Sequence, residues 1–178
     1  TATPTPTATP TETPLPATET PTATPTATET PTATPTATQD TKVNLALNRP
    51  VAVSSYLDWA HAGARAVDGS SATYWQTKPV TGPGGPTTES IRVDLGSNRT
   101  IGEVVLEWDA NYATSYTIQV STNNFDWTTL FTTTTGDGGI DTIPFTPTVA
   151  RWVRMESTAW SDSSLRNWLR EFRVMSGG

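Results

Sequence analysis

The residues best placed to do chemistry fall in three short stretches. The first is Ala66-Val67-Asp68-Gly69-Ser70-Ser71-Ala72-Thr73-Tyr74-Trp75. Asp68 and Thr73 stand five residues apart, and Gly69 between them permits a sharp turn. A carboxylate, a hydroxyl and turned-in carbonyls are what a hard cation such as Ca2+ takes as ligands. Taken alone the loop fits two readings: a cation loop, or an Asx-type turn leading into a buried Trp75. The second stretch, Tyr56-Leu57-Asp58-Trp59-Ala60-His61, gathers two aromatics, a carboxylate and the chain's single histidine, with no strand period to bury them. The third is Thr158-Ala159-Trp160-Ser161-Asp162-Ser163, where Trp160 stands among small polar residues. Asp109 follows Trp108 at the end of an alternating run and is positioned to join them.

Something rigid must carry these loops, and only part of the chain can supply it. Residues 1–40 are almost entirely Thr, Pro and Ala, with Glu12, Glu19 and Glu29 scattered through Thr-Ala-Thr-Pro repeats. Such a segment buries too little apolar surface to offset its chain entropy. The expectation is a disordered, extended linker rich in polyproline II. Its threonines are either O-glycosylation acceptors or part of an unmodified tether. Residues 41–178 hold every Trp, Tyr, Phe and Met, and at ~140 residues have the size of one domain.

The whole chain carries a net charge of -6, but the part after residue 40 has 13 acidic against 11 basic side chains. With no basic stripe, a nucleic-acid or anionic-membrane partner is not expected. There is no cysteine, so disulfides and thiolate metal sites are excluded, and one histidine rules out a multi-histidine zinc site. No window is long and apolar enough for a membrane-spanning helix.

The folded part reads as short runs of β-branched and aromatic residues broken by Gly, Pro, Asn and Asp. Val51–Ser54, Ser90–Leu95, Val104–Trp108, Tyr116–Val120, Thr128–Thr134, Ile140–Phe145, Arg151–Met155 and Phe172–Val174 are the expected strands. His61–Ala66 is expected to form one helical turn. About eight short strands with turns between them predict an all-β sandwich or barrel, the sandwich packing the apolar faces of two antiparallel sheets together. Trp75, Trp108 and Trp152 are expected in the core, and Trp127 and Trp168 over its edges. Trp59 and Trp160 are expected to be exposed, whereas Tyr56 fits packing as well as binding.

A resemblance rests on seven blocks in order: Asn44–Pro50, Ala66–Gly69, Thr73–Trp75, Val93–Gly96, Tyr116–Ser121, Arg151–Met155 and Arg170–Phe172. Residues 43–176 resemble a discoidin or coagulation-factor type C domain, and are most similar to family 32 carbohydrate-binding modules of bacterial glycoside hydrolases. The resemblance implies an eight-stranded jelly roll and a structural calcium. Carried over, Asp68 and Glu171 would supply carboxylates, Thr73 its hydroxyl and carbonyl, and Arg65 and Ser70 carbonyls. The other possibility is that Asp68 and Glu171 are only hydrogen-bonded or paired with arginines.

The resemblance also implies a sugar site in loops at one end of the sandwich. Sugars stack on exposed aromatics while a few polar groups fix the hydroxyls. Tyr56, Asp58, Trp59, His61, Tyr74, Asp109 and Trp160 are the candidates, although His61 fits a bracing role equally. Tyr74 stands where relatives often place an arginine, Leu57 where they often place a glutamate, and the Pro/Gly-rich stretch 79–86 resembles an insertion. The implied function is a non-catalytic module that targets a linked catalytic domain to polysaccharide, with β-glucan or chitosan-like chains favoured. A secreted or cell-surface location is expected from the style of the linker, and a monomeric state is expected. The alternative is an adhesion domain for a protein or phospholipid surface. Catalysis is not expected: no nucleophile or phosphate-loop motif accompanies His61 or the glycines.

Overall fold

Alternation of apolar and polar residues builds seven antiparallel strands: β1 (Val51–Val53), β2 (Trp75–Gln76), β3 (Glu89–Trp108), β4 (Ala113–Ser121), β5 (Thr128–Thr133), β6 (Ile140–Trp160) and β7 (Trp168–Ser176). The computed structural model describes residues 1–2, 42–80, 85, 87–164 and 166–177. All but the first two residues of the expected linker lie outside the described residues, as does most of 81–86.

Two strands are far longer than the sequence suggests. Ser90–Leu95 and Val104–Trp108 are two halves of β3, and Ile140–Phe145 and Arg151–Met155 two halves of β6. The first half of β3 pairs with β1 and with the second half of β6, and β4 and β5 extend this layer. The second half of β3 pairs with the first half of β6 and with β7, to which β2 adds. One continuous sheet thus folds over as a two-layer sandwich, its layers joined where β3 and β6 cross. The crossings are irregular, with register shifts between Asp94 and Arg99 and between Ile101 and Glu103. Pro144 and Pro147 lack the N–H a regular ladder needs and sit beside the second shift. Gly102 is required there, because a Cβ would come within 3.0 Å of the Gly177 backbone.

The core follows the alternation. Ile91, Val93 and Leu95 of β3 and Ile118 and Val120 of β4 point inward, as do Phe172 and Val174 of β7. Trp75 and Trp108 are buried as expected, but Trp152 is half-exposed, because it alternates with the inward Val153 and so faces outward. The expected helical turn appears as two 3-10 turns, Trp59–His61 and Gly63–Val67.

A polar clasp ties the layers. Trp108 Nε1 donates to Asp141 Oδ2 at 2.8 Å, and the Tyr116 hydroxyl donates to the same oxygen at 2.6 Å. Burial, reinforced by that carboxylate, pushes the Tyr116 hydroxyl well above the ordinary phenol range. Replacing Asp141 by Ala strands two buried donors at about 1–3 kcal/mol each. Urea unfolding of Asp141→Ala is expected to show a clearly lower midpoint at unchanged slope. An unaltered midpoint would remove the clasp from the account of stability.

Candidate functional site

The loop after β1 is anchored from below. Trp75 Nε1 donates to the Ser55 carbonyl at 2.9 Å, and Leu57 N to the Gln76 carbonyl at 2.9 Å. Asp58 then caps the turn: its Oδ1 accepts from His61 N at 3.1 Å and lies 2.7 Å from His61 Nδ1. The His61 hydrogen bond holds the exposed Asp58 carboxyl below the usual carboxylate range. With the loop fixed at both ends, Trp59 projects into solvent at 82% exposure, and Tyr56 is exposed 5.7 Å from it.

Behind these two, three rings form a ladder. The His61 ring lies 4.9 Å from Tyr74, and Tyr74 stacks on Trp168 at 5.5 Å and 21°. Trp168 begins β7, and its backbone is sewn to the β3–β4 loop: its N–H donates to the Asn111 carbonyl and its carbonyl accepts from Asp109 N, both at 2.8 Å. Asp109 is therefore held at the same rim, where Oδ2 pairs with Arg170 at 2.9 Å. Arg170 also donates to the Ser71 carbonyl, linking Asp109 to the Asp68 loop. The structure thus brings Tyr56, Asp58, Trp59, His61, Tyr74 and Asp109 to one end of the sandwich.

Trp160 behaves differently from the expectation. It is half-buried, its Nε1 donates to Ser157 Oγ at 3.0 Å, and the Arg166 guanidinium lies 4.4 Å over its ring. Arg166 is itself buried against Glu89, 3.1 Å from Oε1, and Glu89 also accepts from the Ser54 and Ser55 hydroxyls. A guanidinium held by a buried carboxylate covers one indole face, so Trp160 is a wall and not a bare platform.

The Asp68 loop turns at Gly69, whose φ of +80° suits a residue without a Cβ. Asp68 Oδ1 accepts from Ser70 N at 3.0 Å, and the Thr73 hydroxyl lies 2.9 and 2.8 Å from the two carboxylate oxygens and 3.0 Å from the Ser70 carbonyl. The Arg65 guanidinium is 3.6 Å from Asp68 Oδ2. Below the loop lies Glu171, at 1% exposure. Glu171 alternates with the inward Phe172, but the Gly63–Val67 turn covers that face of β7. Neither Glu171 oxygen has a hydrogen bond among the described residues, and the nearest cation is Arg173 Nε at 3.9 Å. Burial pushes the Glu171 carboxyl up, and Asp68 adds to this; the Gly69 and Ser70 amides favour the charged form without a bond of normal geometry. Two carboxylates, a hydroxyl and a carbonyl converge here, an all-oxygen donor set of the kind a hard cation takes.

Sequence reasoning missed Trp168 as a site residue and Arg166 and Arg170 as the side chains that brace the rim. The signal for Trp168 was its place as the first residue of the last strand, which reads equally as a core edge.

The profile of the NedA-like, galactose-binding domain family matches residues 65–155. Chitosan-binding module 1 of a chitosanase/glucanase from Paenibacillus sp. IK-5 is 44% identical, covering 74% of this chain and 98% of its own, with a TM-score of 0.68. Chitosan-binding module 2 of the same enzyme, solved in complex with chitotriose, is 41% identical, covering 75% and 100%, with a TM-score of 0.68. CpGH89CBM32-4, produced by Clostridium perfringens and solved with GlcNAc-alpha-1,4-galactose, covers 77% and 96% with a TM-score of 0.63; at 16% identity it shares the fold. A comparison with curated protein sequences finds no match.

Glu89→Gln leaves the Arg166 charge buried without its counter-ion, an error costing about 3–5 kcal/mol. The expected outcome is a large loss of stability in denaturant together with a shift in tryptophan emission as the cover over Trp160 loosens. A neutral result would mean that Arg166 finds another partner and that the pair does not hold this wall.

Proposed function

We propose that this chain, which belongs to the NedA-like galactose-binding (coagulation-factor type C) family, uses the aromatic rim of its sandwich to hold a chitosan-like chain. It is homologous to chitosan-binding modules and family 32 carbohydrate-binding modules, which are non-catalytic carbohydrate-binding domains. The observation that carries the ligand class is the pairing of aromatic rings with carboxylates at one rim: the exposed Trp59 and Tyr56 and the half-buried His61–Tyr74–Trp168 ladder beside Asp58 and Asp109. Sugar rings stack on such faces, and a glucosamine ammonium is drawn to a carboxylate that is already ionised. Asp58 and Asp109 are each engaged, with His61 and with Arg170, which supports binding rather than acid–base chemistry. The module's contribution is proximity: weak attachment to an extracellular polysaccharide raises the local substrate concentration for a catalytic domain joined to it.

Calcium is part of the same proposal. Asp68, Thr73, Glu171 and the carbonyls of Arg65 and Ser70 would hold it, and it would supply charge balance and rigidity beneath the rim. The buried Glu171 carboxylate, whose oxygens have no hydrogen bond of normal geometry among the described residues, supports this reading. Binding at a hundredfold excess over Kd stabilises by about 2.7 kcal/mol, or roughly 5–10 °C in a domain of this size. Scanning calorimetry is expected to show that rise on adding CaCl2, its reversal by EDTA, and its loss in Glu171→Gln. The same melting temperature with and without calcium would sink the cation.

For the sugar, calorimetric titration with chitotriose is the test. Trp59→Ala is expected to weaken binding at least tenfold while leaving the melting temperature near that of the parent, since the ring is mostly in solvent. Failure of the parent chain to bind chitotriose would overturn the ligand class; equal affinity in Trp59→Ala would move the platform to Tyr74 and Trp168.

A further inference from the structure

The outer face of the β1-β3-β6-β4-β5 layer takes no part in the rim site. One rung across it runs Ala52, Arg92, Arg154, Gln119. Arg92 and Arg154 therefore stand directly opposite each other, an unfavourable arrangement for like charges. Arg154 is partly occupied: it donates to Gln119 Oε1 at 2.9 Å, lies 4.0 Å from Glu156 and rests 4.2 Å over the Trp127 ring. Arg92 has no ion pair or hydrogen bond to another side chain among the described residues. The nearest acid along its own strand, Asp94, is clamped by Arg151 through bonds of 2.8 and 2.9 Å.

The surface between these residues is hollowed. Two adjoining shallow depressions of about 200 and 180 Å³ share Ala52 and Arg92; one reaches Ser90 and Arg154, the other Asp94 and Trp152. Ala52 is small enough to leave the floor open, and Trp152 faces outward where the sequence pattern expected it in the core. The Arg151 guanidinium lies 4.3 Å from the Trp152 ring and steadies it. Arg92, Arg151 and Arg154 against Asp94 and Glu156 leave the patch positive, on a folded region whose charged residues sum to a negative value.

We propose that this face is a second ligand site, built for a carboxylated sugar chain. A guanidinium presents a planar fork that matches a carboxylate with two hydrogen bonds. Two such forks side by side, one unpartnered, are relieved of their mutual repulsion by an anion between them. The half-exposed Trp152 at the edge offers a wall for the ring that carries it. Both depressions are open and shallow, which suits a chain lying across the strands better than an enclosed small molecule. Trp160 lies six positions along β6 from Arg154, roughly 20 Å at strand rise, so both sites have room to be filled at once. A uronate polymer and a free uronic acid share this chemistry, and the test separates them.

The experiment is a titration of the full chain with trigalacturonate, its methyl ester and free galacturonate, followed by amide NMR shifts and calorimetry. The parent chain is expected to bind trigalacturonate with shifts at Ala52, Arg92 and Trp152, and to bind the methyl ester at least tenfold more weakly. Arg92→Ala is expected to weaken trigalacturonate at least tenfold at an unchanged melting temperature, having no partner to lose, and to leave chitotriose titration as in the parent. Trp59→Ala is expected to do the reverse. No binding of trigalacturonate, equal binding of the ester, or full affinity in Arg92→Ala would each overturn the site. Loss of trigalacturonate binding in Trp59→Ala would place the anion at the rim, and equal affinity for free galacturonate would overturn the polymer as ligand.

Discussion

A single extra residue in β7 organises the functional end of this fold. β3 and β7 pair in register from Ile101 to Glu107 apart from one shift, and then Trp108 meets Leu169 where Glu107 had met Glu171. Arg170 is the residue left over, and a bulge of this kind re-aims the side chains around it. Leu169 turns into the core beside Trp75, while Arg170 swings out to Asp109 and the Ser71 carbonyl. Glu171 stays on the face that the Asp68 loop covers. The aromatic rim and the Asp68 loop are thus set by one irregularity. Arg170 is the shared strut: it touches the acid at the rim with one nitrogen and the loop above Glu171 with another.

What the sequence made legible is what alternation and local turn chemistry control. Ser90–Leu95 and Tyr116–Val120 bury every second residue, as a half-buried strand should. Asp68, Gly69 and Thr73 close their loop through contacts no more than five residues apart, which spacing alone can suggest. The continuity of β3 was hidden because Gly96–Thr100 is exposed throughout, the composition of a turn, although it carries the chain between layers. β2 is only two residues long and is a strand solely because β7 pairs with it. Trp152 and Trp160 were misplaced for different reasons. Trp152 faces outward because it alternates along its strand with the inward Val153, a parity that a large apolar side chain does not reveal by type. Trp160 is half-covered by the Arg166 guanidinium, whose position depends on its tertiary pairing with Glu89.

The two fully buried acids show how a fold distinguishes structure from binding. Glu89 and Glu171 are each 1% exposed, and each would cost several kcal/mol if left charged without compensation. Glu89 has its compensation built in: Arg166 and two serine hydroxyls surround it, and the backbone of Arg166 accepts a φ of +56° to reach it. Glu171 has an arginine 3.9 Å away, a second carboxylate nearby, and only the Gly69 and Ser70 amides, which fall short of normal hydrogen-bond geometry. Protonation would relieve the charge, but it would add nothing to the bonds that Asp68 already makes to Ser70 and Thr73 in the loop above. Under the proposal above, a divalent cation between the two acids would remove the repulsion, satisfy both sets of oxygens and fix the loop that carries Tyr74 into the ladder. Of the two burials, the second is the one that argues for a ligand, and a bound cation would stiffen the rim through that loop.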